Sequence, residues 1–541
     1  MLRVMSILVL LVLITLPCIA AQPNSVLVVY NANSNTPNNP KSFEYNPAFN
    51  KASLAVAKYY ASQRAIPDEN LLGLPNALYT ELINSSHYLS EIATPIWKYL
   101  STHPHINYIV LCYGIPSRIS YQSNYDMSVD AALALLGNPG VPDAQGEFAR
   151  HWGINSANPY CGKDIDFGTF KDSAENSLRV TQDGVAATWK LNYLVTRLDA
   201  YSQPTVNVNG TAIPRDVKAM IDRSVAAKAG GKFVVDRGAS EIASVVNRFT
   251  GDLSSANIVT DSTSKYLTGE DDVIGYWGEH MIINRNANNY TTWTRPFHKW
   301  LPGGIAIYNT NDGHSYRIPK YTWWAMPGVT DNTADKPNRV LAGHIKVINM
   351  YASLASFPRD QYDKHQVVLC DSSGKIIKRS DNSECRATFS RGVCTINISN
   401  LNWPADHKSS IELRFPVNDA LFPDGYIYES RSPHVADTTI YNARQSGITF
   451  DCSYPGLTRV VSSSYIAEGA SGTISLLNHI GSSSFYNAGI AFSRYYAGYS
   501  WAESAYMAIP RLGTHYTVLG DPLMAPFAAK SAQSSSTPKR E

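Results

Sequence analysis

"RDVKAMIDRSVAAKAGGKFVVD", Arg215 to Asp236, is the stretch on which the fold class turns. Val217, Met220, Ile221 and Val225 recur at helical spacing on one face, and "GKFVVD" follows as a short apolar run closed by Asp236. A strand without polar alternation is covered on both sides, so an amphipathic helix leading into it marks a layered α/β sheet.

The same alternation runs outward in both directions. "SVLVVYN" from Ser25, "NLLGL" from Asn70, "INYIVLCYG" from Ile106, "NYLVTRL" from Asn192, "ANIVT" from Ala256 and "GGIAIYN" from Gly303 read as further buried strands. Phe49, Ala52, Val56 and Tyr59 set a helix between the first two, with Pro67 beyond its end. Strand and helix in alternation predict a mostly parallel sheet with helices on both faces. After about Gly343 the pattern changes to strand and turn, in "HQVVLCDSSGKIIKRS", "CRATFSRGVCTINIS" and "SSIELRFPV", and helical signals return only in "AGIAFSRYYAGYSWAESAYMAIP". The expected organisation is a signal peptide over 1–21, an α/β domain over 22–344, an all-β, sandwich-like insertion over 345–445, the closing part of the α/β domain over 446–529 and a polar tail over 530–541. No internal repeat of fixed period is visible.

The chain has 541 residues, 46 Lys plus Arg against 44 Asp plus Glu, and a net charge of +2, which offers no basic field for nucleic acid. Its start, "MLRVMSILVLLVLITLPCIAAQPNS", places Arg3 before an apolar run from Ile7 to Leu16 and small residues at Ala20 and Ala21, the layout of a secretory signal. That run is shorter than the roughly 18 residues of a spanning helix, so no transmembrane segment is expected once the signal is removed. Cys18 leaves with it. The six cysteines that stay, Cys112, Cys161, Cys370, Cys385, Cys394 and Cys452, are an even number in an exported chain and predict disulfides. Their grouping suggests Cys112 with Cys161 and two bridges among the other four, although spacing does not fix the pairing.

"SVLVVYNANS", "SLAVAKYYASQRAIPDENLLGL", "YIVLCYGIPSRI", "SVDAALALL", "YLVTRLDAY", "GKFVVDRG" and "YAGYSWAESAYMAIPRLGTHYTVLGDPLMAPF" together resemble an uncharacterised family of exported bacterial proteins. More distantly, the order of these segments is similar to the gingipain-type cysteine peptidases, which implies a caspase-like sheet closed by Gly520-Asp521-Pro522. The resemblance implies a His after one strand and a Cys after the next, because a thiol needs an adjacent base to act as a nucleophile. The segment matching the His strand carries Gly278-Glu279-His280, and the one matching the Cys strand carries Asn309 and Thr310 with no Cys.

In open parallel sheets, ligands bind beyond the carboxyl ends of the strands. Two such ends are rich in polar groups: Glu279 and His280 after "VIGYW", and Asn309, Asn311, Asp312 and His314 after "IAIY". If those strands are neighbours, Glu279, His280, Asp312 and His314 make a carboxylate and imidazole cluster suited to a metal or to general acid and base work. Solvated loop tips are the plainer alternative. Arg118 is a candidate for an anionic ligand group or a partner of Asp126 or Asp130, and Cys112, inside an apolar run, is expected to be buried or bridged. Arg197 and Asp199 are expected to form a structural ion pair, or Asp199 a helix cap. No Walker lysine loop, GxSxG elbow or HExxH helix occurs, so cofactor, metal and partner stay open. Two readings follow: a binding or structural module on a caspase-like fold whose dyad is lost, or a hydrolase using the carboxylate and histidine cluster.

Overall fold

The computed structural model describes residues 21–33, 52–138 except 79, 81 and 122–124, and 157–261 except 183–184, 201–204, 209, 237–238 and 250–256. It further describes 270–279, 298–311, nine strands between 330 and 451, 465–476 except 467–468, and 486–528 except 513–515. A ten-stranded sheet organises the α/β part. Its strands in chain order are β1 (Val26–Asn31), β2 (Leu71–Leu74), β3 (Tyr108–Cys112), β4 (Leu194–Leu198), β5 (Lys232–Asp236), β6 (Ile258–Asp261), β7 (Val273–Glu279), β8 (Trp300–Asn311), β9 (Gly472–Leu476) and β10 (Tyr516–Gly520). Across the sheet they stand in the order β6-β5-β7-β8-β9-β10-β4-β3-β1-β2.

Every neighbouring pair is parallel except β9 with β10. The sheet is therefore two five-stranded parallel halves that run in opposite directions and meet at one antiparallel seam. Each half has the same plan. The first reads β2-β1-β3-β4-β10 and the second β6-β5-β7-β8-β9, so in both the first strand is flanked by the second and third, and the fourth and fifth follow. The structure shows a repeat that the sequence does not display, because a buried parallel strand asks only for apolar residues and records neither its neighbours nor its direction.

Helices α1 (Ala52–Arg64), α2 (Val129–Ala134), α3 (Arg215–Val225), α4 (Ala239–Phe249), α5 (Ala488–Tyr496) and α6 (Trp501–Ala508) pack around this sheet. The crossover helix between the first and second strands is α1 in one half and α4 in the other. One continuous core runs from Val26–Val29 through Ile109–Leu111, Leu194 and Val195 to Phe233, Ile305, Ile307, Ile474 and Leu519. Burying such side chains stabilises by roughly 1.5–3 kcal/mol each.

Two helical faces differ from expectation by one position. In α1 the buried stripe is Ala52, Val56 and Tyr60, while Tyr59 turns outward and donates its hydroxyl to Asp222 at 2.5 Å. In α3 Val217, Met220, Ile221 and Ser224 are buried, and Val225 at the end of the helix is exposed. Ser224 is accommodated because its hydroxyl donates to Met220 O at 2.8 Å.

Between β8 and β9 the described strands form two further sheets. One is five-stranded and includes Leu341–Asn349, Gln366–Cys370 and His434–Tyr441. The other is four-stranded and includes Thr330–Asp331, Val393–Asn397 and Gly447–Asp451. No helix among the described residues is long and apolar enough to cross a membrane.

Candidate functional site

Because the halves run oppositely, the carboxyl ends of β1–β4 lie along one edge of the sheet and those of β5–β9 along the other. Each edge has a point where the strand order reverses, between β1 and β3 in the first half and between β5 and β7 in the second. Those are the two places where loops diverge and leave a crevice.

The first crevice is tied shut by the protein itself. Asn31, the last residue of β1, donates its carboxamide to Ala77 O and Gly114 O, both at 3.0 Å, and accepts from Asn33 N at 2.9 Å. One side chain thus staples the loops that leave β2 and β3. Gly114 takes φ 90°, a left-handed turn that suits glycine. Beside it, Arg197 of β4 is fully buried and grips Asp130 of α2, with Nε 2.8 Å and Nη2 2.5 Å from Oδ1. The same guanidinium donates to Ile115 O at 2.9 Å and Pro116 O at 2.7 Å, so it also holds the loop after β3. Arg197 therefore pairs with Asp130. Helix α2 brings the distant carboxylate onto the strand.

Cys112 ends β3, is fully buried and is a free thiol. Burial first, and the charge of Asp199 second, push its pKa well above the usual thiol value, which removes the thiolate that nucleophilic chemistry needs. Cys161 is also free, so the expected Cys112–Cys161 bridge is not made. The reason is placement: Cys112 sits inside the sheet, whereas Cys161 lies in a turn fastened to α6 by Asn158, whose amide donates to Tyr506 O and Ile509 O at 2.8 Å. The side chains of Cys370, Cys385, Cys394 and Cys452 lie outside the described residues.

The second crevice has a different lining. The expected adjacency holds for the backbone: β7 and β8 are parallel neighbours, with Glu279 in register with Asn309, and Asn311 pairs with Leu476 of β9. His280, Asp312 and His314 lie outside the described residues, as do the side chains of Glu279, Asn309 and Asn311. Arg118 is buried and opens the strand Arg118–Tyr121 after β3, so it belongs to the opposite edge of the sheet.

Asp236, a residue that sequence reasoning did not single out, ends β5 at this reversal point. It is fully buried, stands in register with Gly278 on one side and Asp261 on the other, and accepts from Tyr276 OH at 3.3 Å. Gly278 makes that contact feasible: a Cβ there would fall 2.4 Å from the Tyr276 hydroxyl. The signal available in the sequence was an acid closing an apolar strand. Asp236 stands where Asn31 stands in the first half, yet a carboxylate cannot donate to loop carbonyls as a carboxamide does. Among the described residues no group of three or more His, Cys, Asp or Glu is placed to hold a metal ion. Comparison of the chain with protein-family models, with curated proteins and with solved structures gives no match.

Proposed function

We propose that this chain is an exported, extracytoplasmic binding or structural module on a caspase-like sheet, without peptidase activity, and that its ligand site lies at the carboxyl ends of β7 and β8. One observation carries the reading. Extending the register Val29↔Leu111↔Arg197 by three residues puts Ala32, Gly114 and Ala200 in the row just beyond the first half-sheet. The corresponding row of the second half holds Glu279 and Asn309. Where one half has residues with nothing to offer a ligand, the other has a carboxylate and a carboxamide. Asn309 also stands where the resemblance to gingipain-type enzymes calls for a thiol, and an amide is no nucleophile.

The caspase-like assignment is supported by the shared strand order of the halves, and by β7 and β8 being the adjacent strands on which that resemblance puts the dyad. The five-stranded and four-stranded sheets between β8 and β9 support an inserted β domain. A second reading, a hydrolase using Glu279, His280, Asp312 and His314, is favoured by the acid beside the amide in register.

Both readings meet in one experiment. The purified protein and a variant with alanine at those four positions are compared by elemental analysis, by thermal shift against divalent cations and short peptides, and by peptide cleavage with and without a thiol alkylator. Binding by the parent and its loss in the folded variant support the site, and hydrolysis abolished by the substitutions selects the second reading. Identical behaviour of the two proteins in every assay reduces the cluster to the polar ends of strands, and cleavage blocked by the alkylator overturns the absence of cysteine-peptidase chemistry.

A further inference from the structure

The first half lacks its fifth strand in the stretch of chain that supplies the other four. That strand, β10, arrives after the whole second half has been laid down. We infer that residues 486–512 and 516–528 are an intramolecular clasp: they deliver the fifth strand of the first half, bind it to the second half, and make the two half-sheets open together or not at all.

Three sets of contacts support the clasp. Toward the first half, the Thr517 hydroxyl donates to Asp130, the carboxylate already gripped by Arg197, and Ser128 Oγ donates to Tyr516 O at 2.5 Å. Just past β10, buried Asp521 accepts from Tyr60 OH and Arg64 Nε of α1, both at 2.6 Å, while its own turn closes through Leu523 N at 2.9 Å. Toward the second half, α5 lies so close to α4 that a Cβ on Gly489 would meet Ser244 Oγ at 2.8 Å. Tyr495 OH also donates to Gly303 O of β8 at 2.7 Å.

At the seam, Gly472 of β9 faces Gly520 of β10 in register, and the Trp501 indole covers both. Its Nε1–H donates to Leu519 O at 2.9 Å. A Cβ on Gly472 would lie 2.7 Å from that nitrogen, and one on Gly520, which sits at φ 126°, would lie 2.8 Å from Ser471 O. Interiors packed at this density transmit a displacement instead of absorbing it. The clasp thus has anchors on both halves and no slack between them.

Hydrogen exchange of the full chain, followed by mass spectrometry, tests the clasp. Thr517→Val removes the hydroxyl bond to Asp130 on the first-half side, and Gly472→Ala crowds the seam from the second-half side. Each is expected to speed exchange at least about tenfold, and by the same factor, in β3 and β4 as in β8 and β9, because amides of one cooperative unit share one opening equilibrium. Thr517→Ser, which keeps the hydroxyl, is expected to restore parental rates. Acceleration confined to the half that carries the substitution overturns the clasp, and so does no acceleration in either half.

Discussion

Replacing Arg197 by Met is expected to be among the most damaging single changes available to the first half-sheet. Arg197 and Asp130 are both fully buried, and the guanidinium makes paired contacts to the carboxylate as well as bonds to two loop carbonyls. Methionine fills comparable volume but donates nothing. Removing one partner of a buried ion pair leaves an uncompensated charge at a cost of about 3–5 kcal/mol. Each stranded carbonyl adds roughly 1–3 kcal/mol where water cannot reach it, so a loss of at least about 4 kcal/mol is expected. The Thr517 hydroxyl still donates to Asp130 but cannot neutralise it. Urea unfolding, monitored by tryptophan fluorescence, provides the assay, with the midpoint read at an unchanged slope. Arg197→Met combined with Asp130→Leu should recover a large part of the loss, since an apolar pair avoids the desolvation of both ions. A single variant within about 1 kcal/mol of the parent would refute the argument from a buried ion pair.

Asn31→Asp should destabilise by about 2–4 kcal/mol, because a carboxylate cannot donate to Ala77 O and Gly114 O and repels both; proteolysis of the loops after β2 and β3 should accelerate in step. Glu503, buried at the start of α6, has its pKa raised by burial despite the amides of Phe167 and Ser500 that bond to it. Its folded pKa lies above the unfolded one, so its ionisation weakens the fold as pH rises through the carboxylate range, and that penalty disappears as pH falls. Glu503→Gln should flatten this part of the stability profile, and an unchanged profile would locate the dependence elsewhere. Cys112 should stay unlabelled by N-ethylmaleimide in the native protein and become labelled in urea without any reductant, as peptide mass spectrometry would show. A requirement for reductant would restore a disulfide, and fast native labelling would revive the thiol as a nucleophile.

How much of this was legible in the sequence follows from what local pattern encodes. Apolar runs marked the strands from Val26 to Ile307, since burial on both faces is a local demand. Pairing is not local. Nothing in "NYLVTRL" reveals that Arg197 meets Asp130 from a helix 67 residues away, and nothing in "YTVLG" shows that β10 runs against β9 but along β4. Nor does local pattern show that the strands leading to Arg118 and to Glu279 run in opposite directions, which puts the two residues at opposite edges of the sheet. Register between β7 and β8 was foreseeable only as a condition: two polar strand ends matter if their strands are neighbours, and those strands are.

The long detour of the chain before β10 has a consequence for synthesis. More than three hundred residues separate Leu198, the end of β4, from Tyr516, the start of β10. At roughly 5–20 residues per second, a ribosome needs on the order of 15 to 60 s to cross that interval. Until β10 arrives, the edge of β4 that does not pair with β3 has no strand to receive its hydrogen-bonding groups, and an unpaired edge is a template for another chain. The interval between delivery of β4 and delivery of β10 is thus set by the rate at which the chain emerges, from the ribosome or across a membrane, and slower emergence should lower the soluble yield.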